Sequence, residues 1–331
     1  MLAVQFNEFG NPPDVLHTVE LPQDIPGPGE VVVTIEATPI HPSDLLTISG
    51  SYGIKPALPA TPGQEGVGRV AEVGEGVNTL KTGDLVLLPL GAGTWRSHIK
   101  LSANTLVPLP QNGDPVQYSL MSINPLTASL LLSEIVALQP GDWVIQNAAN
   151  SSVGHYLVAL AKQRGIKTLN LVRRGGGVDR QIRELGGTEV IVDKGQDLRK
   201  EVKAITGGDP VRLGIDAIGG EATATLAGCL SPGATLVNYG ALSGAPCQIQ
   251  PGTLIFHDIR LQGFWLVNWL RDTPAEQVRT QLMQLAPDIA NGRLHAEIGG
   301  SYPLERIKDA TQHAMQGSRD GKVILTPESH W

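Results

Sequence analysis

The sequence has few cysteines and no long apolar run. Only Cys229 and Cys247 occur among its 331 residues, which excludes a disulfide framework and a Cys-rich zinc site. Both are predicted to be buried as small apolar side chains. The most apolar window, 119–138, contains Asn, Pro and Glu and falls short of the roughly 20 apolar residues that a membrane span needs. We therefore expect no membrane partner.

Basic residues are outnumbered by acidic ones. The chain has 25 Lys and Arg against 32 Asp and Glu, for a net charge of −7. The basic residues are scattered, which excludes the basic patch of a nucleic-acid-binding protein. The first residues, MLAVQFNEFG, contain neither a secretory apolar core nor an Arg- and Ser-rich transit segment, so a cytoplasmic location is expected. The predicted partner is a small molecule.

The order of strand and helix patterns predicts two domains. Short β-prone runs separated by Gly and Pro fill the first hundred residues and indicate a mainly β domain; they are MLAVQF, EVVVTIEAT, GVGRVAEVG, GDLVLLPL and WRSHIKL. From residue 119, strand and helix patterns alternate, which predicts βαβ units and a parallel sheet; its strands are DWVIQNA, KTLNLV, TEVIVD, LGIDAI and ATLVNYG. A helix is predicted over about 274–291, and the last strand is predicted to return to the first domain.

The turn after the first strand of the second domain has the layout of a dinucleotide site. Such a site follows a strand, opens a helix and prefers G-x-G-x-x-G, because pyrophosphate is held by the unpaired N–H groups of the helix start. Here WVIQN precedes A-N-S-S-V-G, so Ala149 and Ser151 occupy the first two glycine places and only Gly154 remains. Asn150, Ser151 and Ser152 add side-chain donors. By this motif alone, a phosphate site and a polar turn with an Asn or Ser cap are equally good interpretations.

The end of the next strand favours one cofactor. An acidic residue at this place accepts the ribose hydroxyls of NAD, and Arg replaces it where a 2′-phosphate is held. The strand LNLV is followed by Arg173 and Arg174, with no acid. The pair favours NADPH, and the alternative is a solvated loop.

Several short motifs together resemble one known family. The chain is similar to the zinc-free medium-chain dehydrogenase/reductase superfamily, and within it to the mitochondrial-type NADPH-dependent trans-2-enoyl-thioester reductases. PGQEGVGRVAEVG with GDLV is typical of the superfamily, whereas SYG, GTWR, INP-T, QNA-NS-VG and GFWL are specific to the enoyl reductase branch. The resemblance covers nearly the whole chain. It implies an α/β protein with a GroES-like, mainly β catalytic domain over 1–118 and 266–331, a doubly wound Rossmann domain over 119–265, and a homodimer.

The resemblance also implies which residues form the site. It places the proton donor at Tyr52 and assigns contacts with NADPH to Asn124, Asn150, Ser151, Ser152, Val153, Arg173, Arg174, Tyr239, Gly240, Ala241, Leu242, Phe264, Trp265, Leu266, Val267 and Lys322. The chain departs from the family at Ser152, where a glycine is common, and at Arg174, where eukaryotic relatives can have an acid. The first departure leaves the anion-binding logic intact, and the second strengthens the prediction of NADPH.

Zinc is not expected. Zinc alcohol dehydrogenases of this superfamily have a Cys and a His at the positions of His41 and Gln64, and a Cys-rich lobe that this chain lacks. A catalytic zinc needs about three protein ligands, and His41 with Glu65 is one short. His41 is therefore interpreted as a polar loop residue near the cofactor, and Glu65 as a structural or hydrogen-bonding group. Without a Lewis acid, reduction of a conjugated double bond is favoured over alcohol oxidation.

The predicted reaction is hydride transfer to Cβ of an α,β-unsaturated thioester, followed by protonation at Cα. The resemblance makes Tyr52 the expected proton donor; from the bare sequence alone, an aromatic residue in a Ser-Tyr-Gly turn is the better interpretation. Trp265 either lines an acyl pocket or packs in a core or dimer interface, and Arg96 either contacts substrate phosphate or forms a salt bridge. The alternative functions are an NADPH-dependent quinone or enone reductase and a non-catalytic NADPH-binding protein.

Overall fold

The computed structural model describes residues 1–195, 197–317 and 321–327. Two compact units divide the chain: Met1–Ile123 with Glu276–Trp331, and Asn124–Ala275. The functional domain bounds given above, 1–118 with 266–331 and 119–265, stay a prediction. In the part of the chain that the structure describes, no helix is both long and apolar enough to cross a membrane.

The first unit is built on a seven-stranded, mainly antiparallel sheet. Its strand order is β14-β15-β3-β4-β5-β7, with β6 also pairing with β3, and β1 and β2 form a separate hairpin. The elements are β1 (Leu2–Gln5), α1 (Pro12–Val15), β2 (His17–Glu20), β3 (Glu30–Pro39), α2 (Pro42–Ile48), β4 (Val67–Val73), β5 (Leu85–Leu87), β6 (His98–Ser102), β7 (Val107–Pro108), α3 (Pro115–Tyr118), α11 (Ala275–Ala290), β14 (Ile298–Tyr302), α12 (Ile307–Met315) and β15 (Lys322–Leu325), with 3₁₀ turns at Ala103–Thr105 and Leu304–Arg306.

The end of the chain completes this sheet. β15 runs parallel to β14 and antiparallel to β3, with Ile324 opposite Pro39 and Leu325 opposite Thr38. Val323 and Leu325 are buried in one core cluster with Val4 and Trp95 from the amino-terminal part. Burial of apolar side chains from both ends of the sequence in one core is what holds these segments together. The predicted return of the last strand is therefore confirmed.

The second unit is a doubly wound parallel sheet. The strand order is β10-β9-β8-β11-β12-β13, and all neighbouring pairs are parallel, which is the order of a dinucleotide-binding Rossmann fold. The elements are α4 (Asn124–Ser133), β8 (Trp143–Gln146), α5 (Ser152–Gln163), β9 (Lys167–Val172), α6 (Gly177–Glu184), β10 (Glu189–Val192), α7 (Leu198–Thr206), β11 (Val211–Asp216), α8 (Glu221–Cys229), β12 (Thr235–Asn238), α9 (Pro251–His257), β13 (Arg260–Gly263) and α10 (Leu266–Asp272).

Continuous apolar runs explain why these strands lie inside. All four residues of β8 are buried, as expected for a central strand covered by helices on both faces. The core holds Ile145, Leu169 and Leu236 from β8, β9 and β12. α5 covers the sheet with an apolar face that includes Leu157 and Val158. The predicted α/β class, with a Rossmann sheet beside a mainly β unit, is confirmed.

Two details differ from the sequence analysis. The edge strand β13 is absent from the predicted strands, because Arg-Leu-Gln-Gly lacks apolar alternation and all four residues are exposed. Cys229 is buried as expected, whereas Cys247 is exposed. The prediction for Cys247 is wrong because residues 245–250 form no helix or strand, and Cys247 lies on the exposed side of this loop.

Candidate functional site

The predicted cofactor contacts of the second unit lie at one edge of its sheet. Four strands, β8, β9, β12 and β13, end at Gln146, Val172, Asn238 and Gly263. The predicted contacts follow these ends along the chain, at 150–153, 173–174, 239–242 and 264–267. Because all strands of the sheet are parallel, their carboxyl ends share one edge, which is where ligands bind in folds of this kind.

The turn after β8 is capped and closely packed. Ser151 is the N-cap of α5, and its side-chain oxygen accepts the Gly154 amide at 3.1 Å. The N–H groups of a helix's first turn have no partners within the helix and attract an anion. A Cβ on Gly154 would lie 2.6 Å from the Ala149 carbonyl oxygen, so only glycine allows the helix to start this close to the turn.

Ala148 has a backbone conformation that suits glycine. Its φ of 47° is one of the two positive values found at non-glycine residues in the described part of the chain. A side chain in this left-handed region costs about 1–2 kcal/mol. The turn between β8 and α5 therefore stores strain directly before Ala149 and Ser151, which occupy the places of the first two glycines.

The loop after β12 is tied to this turn. The Tyr239 side chain hydrogen-bonds to Ser151, and burial raises the pKa of the phenol well above its ordinary value. The Tyr239 amide donates to the Asp216 carbonyl at 3.0 Å. A Cβ on Gly240 would lie 2.6 Å from the Ala217 carbonyl oxygen. The segments that follow β8, β11 and β12 thus stabilise one another.

A buried carboxylate joins the same strand ends. Asp216, at the end of β11, accepts the Asn147 side chain, the Thr223 hydroxyl and the Gly219 amide at 2.7, 2.7 and 3.0 Å. It also accepts the Asn238 side chain at 3.3 Å. Burial raises the pKa of Asp216, but these hydrogen bonds outweigh burial and hold the pKa below the ordinary value. Sequence reasoning missed this residue, although an acid at the end of an apolar strand was a usable signal.

The residues of this edge fit NADPH. Arg173 and Arg174 follow β9 directly and are exposed, so they can reach a 2′-phosphate in the fork geometry that Arg provides. Asn124, the first residue of α4, is buried, and its Nδ2 has no hydrogen-bond partner among the described residues. A buried amide donor without a protein partner calls for a ligand or a water.

The predicted cofactor contacts after β12 and β13 differ in how exposed they are. Trp265 is the N-cap of α10 and 37% exposed, while Leu266 is buried. Phe264 and Val267 are half-buried. In the loop after β12, Ala241 is exposed and Leu242 is 63% exposed. The exposed members are available to a ligand or to a second protein chain.

In the first unit, helix α2 leads to Tyr52. The helix ends at Ile48, Gly50 has a φ of 76°, and the amides of Ser51 and Tyr52 both donate to the Leu46 carbonyl, at 2.9 and 3.1 Å. Tyr52 is half-buried in the turn that these bonds close. These hydrogen bonds therefore fix the position of the Tyr52 backbone relative to the end of α2.

The same helix begins at a buried polar cluster. His41 is its N-cap, and Nε2 of the imidazole lies 2.6 Å from Glu65 Oε1. Nδ1 lies 3.2 Å from the Lys322 amine, although the two residues are 281 positions apart. His41, Glu65 and Lys322 are only 2%, 0% and 6% exposed. The structure thus brings Lys322, a predicted cofactor contact, against His41.

Asp44 braces this cluster. Its carboxylate accepts the His41 amide at 2.8 Å and the Gln64 amide at 3.1 Å, so it ties the start of α2 to the segment before β4. Burial raises the pKa of Asp44 to about 7. Burial likewise raises the pKa of Glu65 well above its ordinary value, and the nearby Lys322 charge opposes that shift. Glu65 is a hydrogen-bonding group, as the sequence analysis interpreted it.

Arg96 stays close to its own loop. Its Nε donates to the Gly93 carbonyl at 2.8 Å, and burial lowers the pKa of its guanidinium. Within residues 1–195, 197–317 and 321–327, no three side chains of His, Cys, Asp or Glu are arranged to hold a metal ion.

Two family descriptions match the chain. Residues 27–111 match the alcohol dehydrogenase GroES-like domain, and residues 152–286 match the zinc-binding dehydrogenase family. Among full-length relatives, the mouse mitochondrial enoyl-[acyl-carrier-protein] reductase is 34% identical over 98% of this chain and 88% of its own length. The chain belongs to the enoyl reductase branch of the medium-chain dehydrogenase/reductase superfamily. The resemblance inferred from the sequence motifs is confirmed.

Solved structures of the superfamily agree with this placement. A putative NADPH:quinone reductase from Bacillus thuringiensis is 31% identical, with a TM-score of 0.90 over 99% of both chains. The mitochondrial 2-enoyl thioester reductase heterodimer from Candida tropicalis and the complex of such a reductase with NADP and crotonyl-CoA are 29% and 28% identical. Their TM-scores are 0.89 and 0.88, and both cover 98% of this chain and 99% of their own.

One expectation of the sequence analysis is wrong. The relatives in this enoyl reductase branch, from mouse to Arabidopsis thaliana, are named mitochondrial enzymes, which overturns the expected cytoplasmic location. That expectation came from the absence of a targeting pattern in the first residues, and such an absence is a weak argument.

Proposed function

We propose that the chain reduces the C=C bond of trans-2-enoyl thioesters, with NADPH as its cofactor and without a metal. The observation that carries the proposal is the pair Arg173 and Arg174, directly after β9 and beside the capped turn after β8. A 2′-phosphate needs arginine at this place of a Rossmann sheet. The relative bound to NADP and crotonyl-CoA supports the same cofactor and substrate class.

Different groups of residues bind different parts of NADPH in this proposal. When bound, NADPH supplies the hydride that reaches Cβ of the enoyl thioester. The amides at the start of α5, with Asn150, Ser151, Ser152 and Val153, hold the pyrophosphate. Tyr239–Leu242 and Phe264–Val267 follow their strands at the same sheet edge and contact the rest of the cofactor, as do Asn124 and Lys322.

Tyr52 supplies the proton in this proposal. Addition of hydride at Cβ leaves an enolate, and the carbanion at Cα takes a proton to complete the saturated thioester. A phenol is a suitable donor because it keeps its proton at neutral pH. Tyr52 gives up that proton directly or through a water molecule, and solvent restores it.

A second candidate function is the reduction of quinones or enones. It is favoured by the likeness to the putative NADPH:quinone reductase, which has a TM-score of 0.90. Both activities need the same cofactor site, so the fold does not separate them. They differ in the acceptor: the carbonyl group whose oxygen takes the developing charge belongs to a thioester in one case and to a ketone in the other.

A substrate panel separates the two. Oxidation of NADPH and of NADH is measured with crotonyl-CoA, longer 2-enoyl-CoA, 2-haloacrylate, a 2-enone and benzoquinone. We expect kcat/KM to be highest for a 2-enoyl thioester with NADPH. If benzoquinone is reduced far faster than every thioester, the second candidate replaces the first. If no acceptor supports oxidation of NADPH, both fail and a non-catalytic role remains.

The partner that we propose is a second copy of the chain. β13 is the edge strand of the Rossmann sheet, and its four residues are exposed, so its open hydrogen-bonding groups match those of an identical strand. In α9, which directly precedes β13 in the chain, Ile255 and Phe256 are 70% and 83% exposed. Large apolar side chains beside an open edge are typical of an interface.

The oligomeric state tests this partner. Light scattering after size exclusion is expected to give a dimer for the wild type and a monomer for Ile255→Lys/Phe256→Lys. Ile25→Lys is the matched control, because Ile25 is 77% exposed but belongs to the other unit. A monomeric wild type, or a double variant that stays dimeric, contradicts the proposed homodimer.

A further inference from the structure

Three buried side chains of the first unit form a continuous hydrogen-bonded chain. Glu65 Oε1 lies 2.6 Å from His41 Nε2, and His41 Nδ1 lies 3.2 Å from Lys322 Nζ. The far oxygen of Glu65 accepts the Ile123 amide at 3.0 Å. The imidazole thus links a carboxyl group to an amine through its two ring nitrogens.

With a neutral imidazole, the protons of this hydrogen-bonded chain can be arranged in two ways, and both keep these two hydrogen bonds. In one, the Lys322 ammonium donates to Nδ1, and Nε2–H donates to the Glu65 carboxylate. In the other, protonated Glu65 donates to Nε2, and Nδ1–H donates to the neutral amine. The two contain the same number of protons and differ by a shift along the chain. In both, Nδ1 faces Lys322, and the protonation state of Glu65 decides whether Nδ1 accepts a hydrogen bond from the amine or donates one to it.

The backbone around the chain is held firmly. The Glu65 carbonyl accepts the hydroxyls of Thr38 and Thr94, both at 2.8 Å. Asp44 fixes the His41 amide, as described above. Lys322 itself lies in β15, inside the sheet. Glu65, His41 and Lys322 therefore all lie in segments whose backbone has little freedom to move.

Stability alone is a poor reason for such a cluster. Buried ionisable groups lose their hydration, and well-packed apolar residues of similar size are often as stabilising or more so. β15 is otherwise apolar, with Lys322 followed by Val-Ile-Leu. A lysine at this buried place is more useful as an amine held in one position for another molecule.

We propose that Glu65 and His41 are positioning residues that hold the Lys322 amine in the orientation in which it meets NADPH. The inference rests on the proposed cofactor role of Lys322. Neither Glu65 nor His41 needs to touch the cofactor. Glu65 sets the tautomer of His41, and His41 holds one of the donors of Lys322, so the amine arrives ordered and loses less freedom on binding.

Glu65→Gln is a sharp probe because an amide cannot serve both neighbours. If the amide NH₂ faces Ile123, two donors oppose each other. If it faces His41 Nε2, the proton moves to Nδ1 and opposes the Lys322 ammonium. Either orientation disturbs the chain without changing the volume of the side chain.

The coupling between Glu65 and Lys322 is measured through the dissociation constant of NADPH. Fluorescence titration of the full-length protein is run for the wild type, Glu65→Gln, Lys322→Met and the double variant. We expect each single variant to bind NADPH about tenfold more weakly, the effect of losing one charged hydrogen bond. The double variant is expected to match Lys322→Met, because Glu65 acts only through the lysine. Losses that multiply to about a hundredfold, or an unchanged affinity in either single variant, overturn the proposal.

The imidazole gives a second readout that needs no cofactor. ¹⁵N spectra of the labelled protein are expected to show His41 as one neutral tautomer, and Glu65→Gln is expected to change it. An imidazolium signal in the wild type at neutral pH overturns the proposal. The resonance is assigned by its loss in His41→Asn.

A pair of variants at His41 covers the case in which Glu65→Gln does not fold. Asn can both donate and accept, so His41→Asn is expected to keep most of the affinity for NADPH, while His41→Leu loses about tenfold. Equal losses in both overturn the proposal.

The control for general damage is Gln117→Met. Gln117 is buried in the same unit and exchanges two hydrogen bonds with the backbone of Ala296, which is not a member of the cluster. It is expected to lower thermal stability and leave the affinity for NADPH unchanged. If the wild type does not bind NADPH at all, the proposed function fails. If it binds but the losses multiply, only the positioning role fails.

Discussion

Asn147 and Asp216 hydrogen-bond to each other at 2.7 Å across the ends of two parallel strands. The Asn147 side chain also accepts the Ala217 amide at 2.8 Å, so the amide group is used on both sides. The pair sets the spacing between β8 and β11 at the edge where the cofactor is proposed to bind. This edge of the sheet is thus held in place by buried side chains as well as by the backbone hydrogen bonds between the strands.

Asp216→Asn is expected to destabilise the protein by about 2 kcal/mol. The amide NH₂ would face only donors, because both carboxylate oxygens of Asp216 now accept hydrogen bonds. The measurement is the free energy of unfolding in urea at pH 7.

The pH dependence of that loss follows from the lowered pKa of Asp216. A carboxyl group with a depressed pKa stabilises the fold above its unfolded pKa of about 3.9. That stabilisation disappears as the pH falls through the lower, folded pKa. The difference between wild type and variant should stay constant from neutral pH down to about 5 and shrink below about 4. A gap that grows in acid contradicts the assignment.

Ala148→Gly is expected to stabilise the protein by about 0.5–1 kcal/mol. It removes the left-handed strain at a φ of 47° and outweighs the added freedom of the unfolded chain. Ala149→Gly is the control: this alanine is buried and has no positive φ, so its loss should destabilise by about 1 kcal/mol. Thermal unfolding checks both, and a lower midpoint for Ala148→Gly argues against strain in the turn.

Gly154→Ala is expected to cost about 2–3 kcal/mol and to abolish NADPH binding, because the new methyl group meets a backbone carbonyl at 2.6 Å. Gly228→Ala, inside α8 with no atom within 4 Å of its Cβ, is expected to stabilise by about 0.5–1 kcal/mol. Unfolding midpoints and NADPH titrations measure both. Normal binding by Gly154→Ala would show that the turn can widen.

Arg173→Ser/Arg174→Ser is expected to raise KM for NADPH by about 10–100-fold, since two charged hydrogen bonds to the 2′-phosphate are lost. NADH lacks that phosphate, so its kcat/KM should change little. Arg199→Ser, at an exposed arginine elsewhere in the unit, shows the effect of losing one positive charge away from the site. An equal loss with both cofactors would assign the arginines another role.

Tyr52→Phe is expected to lower kcat for crotonyl-CoA by about 10²–10⁴-fold, the usual contribution of a positioned acid. The affinity for NADPH should stay unchanged. Tyr302→Phe serves as control, because the Tyr302 hydroxyl bonds to His313 at 3.0 Å in the same unit. Undiminished turnover in Tyr52→Phe removes this residue from the mechanism.

Local patterns in the sequence predict most of the sheet architecture. The central strands are continuous apolar runs, and Ser151 has the chemistry of a helix cap, so β8 and α5 can be predicted from the sequence. β13 cannot, because an exposed edge strand has no apolar face that would mark it. The exposure of Cys247 also cannot be predicted from the sequence, since it depends on how its loop packs against the rest of the unit.

The residues of the candidate site also differ in whether the sequence can predict them. Residues 150–153 and Arg173 with Arg174 can be placed from motif and spacing, because each follows its own strand. The contact between His41 and Lys322 joins positions 281 apart, and no local pattern records it. A lysine at the head of an apolar strand is the one signal that could have drawn attention to it.

Helix α2 has a further consequence for how the protein can vary. It begins at Pro42, directly after its N-cap His41, and ends at Ile48, four residues before Tyr52, so its seven residues act as a spacer of about 10 Å. One inserted residue would move Tyr52 by about 1.5 Å and turn it by about 100° around the helix axis. The length of the segment HPSDLLTISGSYG is therefore under stricter constraint than the identity of its exposed side chains, and homologous enzymes of the same activity should tolerate substitutions there but not insertions.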